Sequence, residues 1–279
     1  MAAATLRLCA VGGAVVDFYA DLGRCFPGGN SANVAVHAAR GGADAAFIGA
    51  IGSDEAGDHF RASLREEGVD LARVQVHEGP TPMVPVRRAS NGEYQCVACP
   101  ACLLPLEFDA VDAGYLVGFD LIHTAGTSRL ASRVPFLAER ARLSYDFSNG
   151  PTTGDEALLP FVWMATLSRP SFSADEAADL CRWVQRRGAR LVVVTRGRAG
   201  ATAAYGRALH HEPAAPGPVV DALGAGDAFL ARMAVQVLSG DGLAEAMTAA
   251  AGYSALVCSS PGAFGHPMAC PGLPPRPAQ

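Results

Sequence analysis

Short apolar strands alternate with helices along most of this chain, and that alternation limits the fold more strongly than any other feature of the sequence. Segment 189–197 is ARLVVVTRG, which is apolar almost without a break and is therefore typical of a strand buried on both faces of a parallel sheet. A helix is predicted over 174–188, opened by a capping-box pattern of Ser173 and Glu176. Repeated strand–helix units of this kind predict an open, mostly parallel sheet covered by helices on both faces.

The length and the lack of internal repeats indicate the domain organisation. The 279 residues contain no clear linker, so we expect one α/β domain over 1–279. Segment 82–98 departs from the alternation, because two strand-forming runs flank Asn91 and Gly92, the strongest short signal for a β-hairpin. We therefore expect a small β-lid built mainly from about 80–100. The Pro-rich segment 271–279 is predicted to be a loosely packed tail.

The charge pattern excludes several classes of function. All 22 basic residues are arginine, so the chain has neither the lysine of a Walker-type phosphate loop nor one for Schiff-base chemistry. The net charge is -5 and the arginines are dispersed, so no basic stripe for nucleic acid is predicted. No apolar run is long enough to span a membrane, and the first residues lack the pattern of a signal peptide. We expect a cytoplasmic protein that binds neither nucleic acid nor membrane.

The eight cysteines are expected to be single, buried side chains, as in a reducing compartment. One group, Cys96, Cys99 and Cys102, has the CxxCxxC spacing that can cap an iron–sulfur cluster. Against that interpretation, Cys96 falls in a predicted strand in which Cys99 would point to the other face, and no fourth cysteine stands nearby. We therefore expect no metal site built from these residues.

Residues 219–230, VVDALGAGDAFL, pass through three small residues into an apolar helix. If that helix begins near Ala225, the N–H groups of Gly224, Ala225 and Gly226 are unpaired donors of its first turn and suit an anion such as a phosphate. Asp227 follows directly, where its carboxylate could take the proton of an alcohol that attacks the phosphate. The alternative is a plain glycine turn with a carboxylate at a helix start, and the spacing alone leaves both open.

Two motifs together resemble the signatures of the pfkB/ribokinase family of carbohydrate kinases. They are PGGNSANVAVHAARGG at 27–42 and DALGAGD at 221–227, which stand in the family's order nearly two hundred residues apart. The resemblance covers almost the whole chain and implies a ribokinase-like three-layer α/β/α fold, with a mostly parallel central sheet and a small, reduced β-lid. It also implies a phosphotransferase that uses ATP and Mg²⁺ to phosphorylate a sugar, and it leaves a monovalent cation open.

The resemblance implies a role for each residue that matches the family's motifs. Asp227 is implied to be the catalytic base. The anion hole is implied to be the backbone of Gly224, Ala225 and Gly226. The expected sugar contacts are Asp17, which is expected to close the first strand, and Gly28, Gly29, Asn30 and Asn33. The expected nucleotide contacts are Thr195 and Gly197. Asparagine and aspartate suit the sugar side because together they can donate to and accept from vicinal hydroxyls.

The connection between Asp17 and Gly28 is only ten residues long, where larger members of the family have two lid strands. One arm of the lid is therefore expected to be nearly missing. This short connection, the phrase YDFSNG at 145–150 and the ending GAFGHP at 262–267 resemble the fructoselysine 6-kinase branch of the family. The resemblance implies that the substrate is a fructosamine such as fructoselysine, or a similar ketose, phosphorylated at a primary hydroxyl.

The sequence departs from the family pattern at several positions. Positions 13–14 are Gly and Ala, where the fructoselysine branch tends to have polar side chains. Ala222 replaces a threonine in the anion-hole motif. Ser168 and Ser171 stand where many members have the Asn and Glu of an N-x-x-E motif, which helps to organise Mg²⁺ and phosphate. Arg232 stands where the family prefers glycine, and it is expected either to point to solvent or to crowd the site.

Two other functions stay open as alternatives. The departures favour a catalytically weakened relative that binds sugar or nucleotide as a sensor or partner protein, although a protein that only binds has no need of a base at Asp227. A dinucleotide-binding oxidoreductase is disfavoured, because GxGxxG is missing and Asp17 comes too early for a ribose-binding acid. His123 ends a strand at the predicted ligand edge and is a further candidate. A two-stranded lid could also pair with its copy, which would give a homodimer.

Overall fold

The structure is a computed structural model that describes residues 5–88, 94–96, 103–150 and 154–270. Over these residues strands and helices alternate as the sequence predicts. The strands are β1 (Arg7–Val11), β2 (Val15–Tyr19), β3 (Arg24–Gly28), β4 (Asp44–Ile48), β5 (Ala50–Gly52), β6 (Gln75–His77), β7 (Met83–Arg88), β8 (Tyr94–Cys96), β9 (Leu121–Ala125), β10 (Arg142–Asp146), β11 (Met164–Ser168), β12 (Leu191–Thr195), β13 (Ala201–Tyr205), β14 (Ala208–Glu212) and β15 (Met268–Ala269). The helices are α1 (Asn30–Arg40), α2 (Glu55–Glu66), α3 (Ala110–Leu116), α4 (Val134–Ala138), α5 (Ala174–Gln185), α6 (Ala225–Ser239) and α7 (Leu243–Val257).

Eight strands form the central sheet, in the order β14-β13-β12-β11-β10-β9-β1-β4. The six strands from β12 to β4 in this order are parallel to one another, whereas β13 is antiparallel to β12 and forms an antiparallel hairpin with the edge strand β14. Nearly all of β12 is buried, as its apolar sequence predicts. The prediction of a mostly parallel α/β sheet is confirmed.

Helices cover both faces of this sheet and make the predicted three layers. Successive residues of a strand point to opposite faces, so Leu8 and Ala10 of β1 lie in one core and Cys9 and Val11 lie in the other. The first core is closed by α1, α2, α6 and α7, and the second by α3, α4 and α5. Because the parallel strands all end at one edge of the sheet, that edge is where a ligand site is expected.

The last two helices, α6 and α7, are largely apolar and have 15 residues each. Much of their surface is buried in the first core, including Met233 and Met247. Their apolar character therefore serves packing within the domain. No helix in the described ranges has the length and apolar character that crossing a membrane would require.

The second sheet corrects the expectation of a lid built mainly from about 80–100. It has five strands in the order β15-β3-β2-β7-β8, so three of them lie outside that segment. The short connection from Asp17 to Gly28 is enough for a complete antiparallel hairpin, because β2 and β3 are joined by a tight turn in which Gly23 takes a left-handed conformation (φ 61°). Asp17 therefore lies in the middle of β2 and does not close the first strand. Its charge within an otherwise apolar run concealed this strand in the sequence.

The other half of the lid agrees with the sequence. Strands β7 and β8 pair in antiparallel fashion, as the predicted hairpin requires. The turn expected at Asn91 and Gly92 lies outside the described residues, as does the tail at 271–279. Among the described strands β8 has a partner on one side only, so a homodimer through the lid stays a prediction.

The expectation that every cysteine is single is wrong. Cys25 in β3 and Cys270 after β15 form a disulfide across a sequence separation of 245. The antiparallel pairing of β15 with β3 brings these two positions together. Cys9 and Cys181 are buried free thiols. The CxxCxxC group extends outside the described residues.

A first test concerns how α2 is tied to the lid. Asp54 caps α2 through the N–H of Gly57 (3.0 Å), and it also accepts from the N–H (3.1 Å) and the hydroxyl (2.6 Å) of Thr81, just before β7. Asp54→Ala removes all three bonds, so we expect the free energy of unfolding to fall by about 2 kcal/mol. The control Ser173→Ala removes the cap of α5 and should cost about 1 kcal/mol. Urea unfolding measures both, and equal losses would show that the bonds to Thr81 contribute nothing.

Candidate active site

Helix α6 starts where the sequence predicts a helix start. Helix α6 begins at Ala225, and Gly224 before it has a left-handed backbone (φ 78°). A Cβ on Gly224 would lie 2.4 Å from the Cβ of Ala263. Both the conformation and the available space therefore require glycine at this position.

One of the three N–H groups predicted for the anion hole is already in use. The N–H of Ala225 donates to the carbonyl of Ala222 (3.2 Å), because the left-handed Gly224 folds these residues into a turn. Within the described part of the chain, the N–H groups of Gly224, Gly226 and Asp227 donate no backbone hydrogen bond of this kind. The donors left for an anion at the positive end of the helix dipole are therefore these three, without Ala225.

Asp227 lies on the first turn of α6 and faces the first turn of α1. Its Oδ1 accepts from Nδ2 of Asn30 (2.7 Å), and its Oδ2 accepts from Nδ2 of Asn33 (2.6 Å). The two asparagines share a face of α1 because they are three positions apart. Burial raises the pKa of Asp227 to about 7, the bond from Asn33 opposes this rise, and the charges of Asp146 and Asp17 add to it. The result is a carboxylate whose two oxygens are held and whose proton affinity is raised.

Asp146, which the sequence analysis did not single out, is a second carboxylate of this site. It ends β10, and its Oδ2 accepts from the same Nδ2 of Asn30 (2.8 Å) while its Oδ1 accepts from the N–H of Ser148 (2.8 Å). Burial raises its pKa to about 6, against the effect of these two bonds. The signal that could have found it is a carboxylate at the end of a parallel strand, where ligands bind.

His123, the further candidate, is fully buried beneath Asn30. Its Nε2 is 2.8 Å from Oδ1 of Asn30, and its Nδ1 is 3.0 Å from Oγ of Ser144. Burial lowers the pKa of His123 to about 3, so the ring is neutral near neutral pH. The histidine therefore does not face a ligand itself but supports a residue that holds Asp227.

The predicted sugar-side residues lie together at the start of α1. Asp17 is buried, and burial together with the charge of Asp221 raises its pKa to about 7. A Cβ on Gly28 would lie 2.1 Å from Oδ2 of Asp17, so only glycine leaves room for that carboxylate. Since the charge of Asp17 also acts on Asp227, the structure brings the two predicted carboxylates into one site.

Asp221, the first residue of the anion-hole motif, connects this site to the lid. Its Oδ2 accepts from the hydroxyl of Tyr19 (2.5 Å) and from the N–H of Gly262 (2.9 Å), and its Oδ1 accepts from the N–H of Leu223 (2.9 Å). Tyr19 lies two residues after Asp17 on β2 and therefore on the same face of the lid. The sequence analysis assigned Asp221 no role.

A cavity of about 340 Å³ begins at the same helix start. Ala225 and Gly226 line it together with Thr195 and Gly197, so the two predicted nucleotide contacts and the anion turn share one cavity. Much of the remaining wall consists of small or apolar residues, namely Pro213, Ala214, Ala215, Pro218, Val219, Ala251 and Ala255. This cavity thus combines a largely apolar wall with the start of α6.

A second cavity, of about 360 Å³, lies beside the start of α1. Gly12, Gly13 and Ala14 form part of its wall. The carbonyl of Gly13 lies against Gly29, on which a Cβ would approach that oxygen to 2.6 Å, and the side chain of Leu103 covers Gly13. Gly29 therefore must be glycine, and the wall at positions 13 and 14 is apolar.

Arg232 was expected either to point to solvent or to crowd the site, and the structure shows that it does not crowd the site. Its guanidinium lies 5.9 Å from the ring of Tyr253, and its Nη1 lies 3.5 Å from the point where a Cβ on Gly41 would stand. Gly41 follows the far end of α1, roughly 16 Å of helix away from Asn30. The side chain is therefore packed at the opposite end of α1 from Asp227.

The described residues contain no cluster of three or more Asp, Glu, His or Cys side chains that could hold a metal ion. Ser168 lines the 340 Å³ cavity, and Ser171 is exposed in the turn after β11. Neither can replace the carboxylate that the N-x-x-E motif would supply.

The chain is similar to known proteins over most of its length. It matches the description "pfkB family carbohydrate kinase" over residues 8–143 and 162–267. It is 34% identical to fructosamine kinase FrlD of Bacillus subtilis, over 94% of this chain and 94% of that protein. It is 30% identical to fructoselysine 6-kinase of Escherichia coli, over 80% of this chain and 86% of that protein.

Solved structures share the fold. Ribokinase of Arabidopsis thaliana, complexed with ribose and ATP, superposes with a TM-score of 0.80 at 20% identity and covers 93% of this chain and 95% of its own. Ribokinase of Thermotoga maritima superposes with a TM-score of 0.78 at 21% identity and covers 95% and 96%. The predicted ribokinase-like architecture and the resemblance drawn from the two motifs are confirmed.

The raised pKa of Asp227 can be tested without any assumption about the reaction. We expect the carboxyl carbon of Asp227, followed by ¹³C NMR, to titrate with a midpoint near pH 7. Asn33→Leu removes the donor to Oδ2, so its midpoint should lie higher. Asn149→Leu, which removes an exposed amide, is the control and should leave the midpoint unchanged. A midpoint near 4, or one that does not respond to Asn33, would contradict this geometry.

Proposed function

The chain belongs to the pfkB family of carbohydrate kinases, and from this premise we propose that it transfers the γ-phosphoryl group of ATP to a primary hydroxyl of a fructosamine-type ketose. Two relatives that it matches over most of their length are named for fructosamine and fructoselysine, which supports this substrate class. The single observation that carries the chemistry is the carboxylate of Asp227, held by two asparagine amides beside unpaired N–H groups at the start of α6.

In the proposed reaction Asp227 is the general base. As the substrate oxygen forms its bond to the γ-phosphorus, its proton passes to Asp227 and the bond from phosphorus to the leaving ADP oxygen breaks. A carboxylate with a pKa of about 7 suits this role, because it is partly ionised at neutral pH and binds the proton more strongly than an ordinary aspartate. Each oxygen accepts one asparagine bond, which leaves lone pairs for a substrate hydroxyl.

The N–H groups of Gly224, Gly226 and Asp227 are proposed to stabilise the charge on the transferred group. They lie at the positive end of the α6 dipole and belong to the backbone, so they need no rearrangement during the reaction. The absence of a side chain at Gly224 and Gly226 lets a phosphoryl group approach closely. We therefore propose an anion hole in which the N–H of Asp227 replaces that of Ala225, which the motif alone implies.

The two cavities fit the two substrates of this proposal. The 340 Å³ cavity next to Gly226 suits a nucleotide whose base lies against its apolar wall and contacts Thr195 and Gly197. Mg²⁺ enters as part of the MgATP substrate, where it neutralises charge on the phosphates. On the other side, Asp17, Asn30 and Asn33 are proposed to bind the sugar hydroxyls. The 360 Å³ cavity beside Gly13 is proposed to receive the substituent on the amino group.

A catalytically weakened sensor is the second candidate, and one specific observation favours it. No carboxylate stands at Ser171, where the family's N-x-x-E motif has its Glu. The position of Arg232 removes another reason for it, because that side chain lies away from Asp227. The two functions differ in whether ADP is formed in response to a sugar.

The decisive variant is Asp227→Asn. We expect it to lower kcat by about 10³-fold, because the base is lost while size and most polar contacts remain. Binding of an ATP analogue, measured by calorimetry, should be unchanged. Asp241→Asn, which alters an exposed aspartate after the far end of α6, is the matched control and should keep full activity. A wild-type protein that binds a sugar but forms no ADP with any fructosamine or ketose would support the sensor.

The pH dependence of kcat/KM gives a separate test. The base must be deprotonated, and its pKa is raised to about 7, so activity should be lost as the pH falls through this value. We expect kcat/KM to rise about tenfold per pH unit below the midpoint and to level off above it. A profile that is flat between about pH 5 and 8 would show that no group with this pKa serves as the base.

A further inference from the structure

The side-chain amide of Asn30 lies between two carboxylates, and its orientation decides whether they face its N–H groups or its carbonyl oxygen. One N–H donates to Asp227 (2.7 Å) and the other to Asp146 (2.8 Å), from the same nitrogen. If the amide were rotated by half a turn, its carbonyl oxygen would face both carboxylates, and two charge-assisted bonds would be replaced by repulsion. Neither carboxylate can donate a bond when ionised, so the ionised pair requires the nitrogen side.

His123 also opposes this rotation, from the oxygen side of the amide. Its Nε2 lies 2.8 Å from Oδ1 of Asn30, and since this oxygen can only accept, Nε2 must carry the proton. In a neutral ring the other nitrogen, Nδ1, is then an acceptor. Ser144 supplies the donor, because its hydroxyl lies 3.0 Å from Nδ1. The chain of bonds therefore has one direction, from Ser144 through His123 and Asn30 to Asp227.

The register of the central sheet builds this chain. His123 on β9 and Ser144 on β10 are direct partners in the parallel pairing, and both side chains are fully buried. Water cannot reorganise their hydrogen bonds, so the proton on the histidine ring stays on one nitrogen. No family motif in the sequence includes these residues, and the proposed reaction does not touch them directly.

We infer that Ser144 and His123 are positioning residues, which hold the amide of Asn30 in the single orientation that keeps Asp227 ionised and aimed at the substrate hydroxyl. This inference rests on the proposed function for its effect on rate, whereas its effect on the carboxylate can be measured in the absence of any reaction. The charged groups that face Asp227 are Asp146 on β10 and Asp17 on β2, and both disfavour its ionised form. The donor from Asn30 acts against them.

Three substitutions on β9 test the inference. His123→Leu removes both ring nitrogens, so the oxygen of the Asn30 amide loses the donor that helps to fix its orientation. His123→Gln keeps a donor for Asn30 and an acceptor for Ser144, and is the conservative rescue. Thr124→Val is the matched control, because Thr124 is the next residue on the strand, is fully buried, and its hydroxyl has no partner in the described part of the chain. Melting temperatures establish which variants remain folded.

For His123→Leu we expect kcat/KM at pH 7 to fall by about tenfold or more, with the KM for ATP unchanged. The midpoint of the pH profile, and that of the Asp227 carboxyl in ¹³C NMR, should move up by about half a pH unit or more. His123→Gln should stay within about threefold of wild type, and Thr124→Val should match it. Ser144→Ala should shift both midpoints in the same direction as His123→Leu, by a smaller amount.

The inference is overturned if folded His123→Leu keeps the wild-type midpoint in NMR, or if the leucine and glutamine variants lose activity equally. Both results would assign His123 a packing role. Failure of the proposed function is a different outcome, because it would be seen in the wild type as an absence of ADP formation. The NMR midpoints would then still decide whether His123 holds Asn30.

Discussion

The site depends on one interaction, in which two amide groups on the first turn of α1 hold the carboxylate on the first turn of α6. Asn30 and Asn33 each donate to one oxygen of Asp227, so the starts of two helices far apart in sequence are fixed against each other. The positive ends of both helices meet there, and burial keeps the proton affinity of the carboxylate high. The orientation of the proposed base and the proposed place for an anion therefore depend on the same contact.

The surrounding structure maintains this contact from two directions. From below, the parallel strands β9 and β10 bring His123 and Asp146 to Asn30. From above, the lid strand β2 carries Asp17 towards the sugar side and Tyr19 to Asp221, whose carboxylate also holds the turn that precedes α6. The carboxylate of Asp221 thus ties the lid to the turn before α6, which carries Asp227.

Sequence patterns predicted those parts whose signal is local. The apolar run of β12, the start of α6 and the places of Asp227 and Asn33 at the starts of two helices each depend on a few adjacent residues. The roles implied for these two side chains stay predictions. The β2–β3 hairpin was missed because buried Asp17 interrupts its apolar pattern, and the engaged N–H of Ala225 because only the turn geometry shows it. Other features depend on which strands become neighbours and in which register they pair, and no single segment of the sequence determines this. They are the Cys25–Cys270 pair, the contact of Asp146 and the bond from Ser144 to His123.

The central claim is that Asp227 takes the proton from the substrate hydroxyl while the start of α6 holds the transferred phosphoryl group. A crystal structure with a fructosamine and a non-hydrolysable MgATP analogue tests it most directly. The account predicts a primary hydroxyl of the sugar within about 2.6–3.2 Å of a carboxylate oxygen of Asp227, in line with a γ-phosphoryl group bound by the N–H of Gly226. A ternary complex in which that hydroxyl faces another residue, or in which the γ-phosphoryl group lies away from α6, would contradict it.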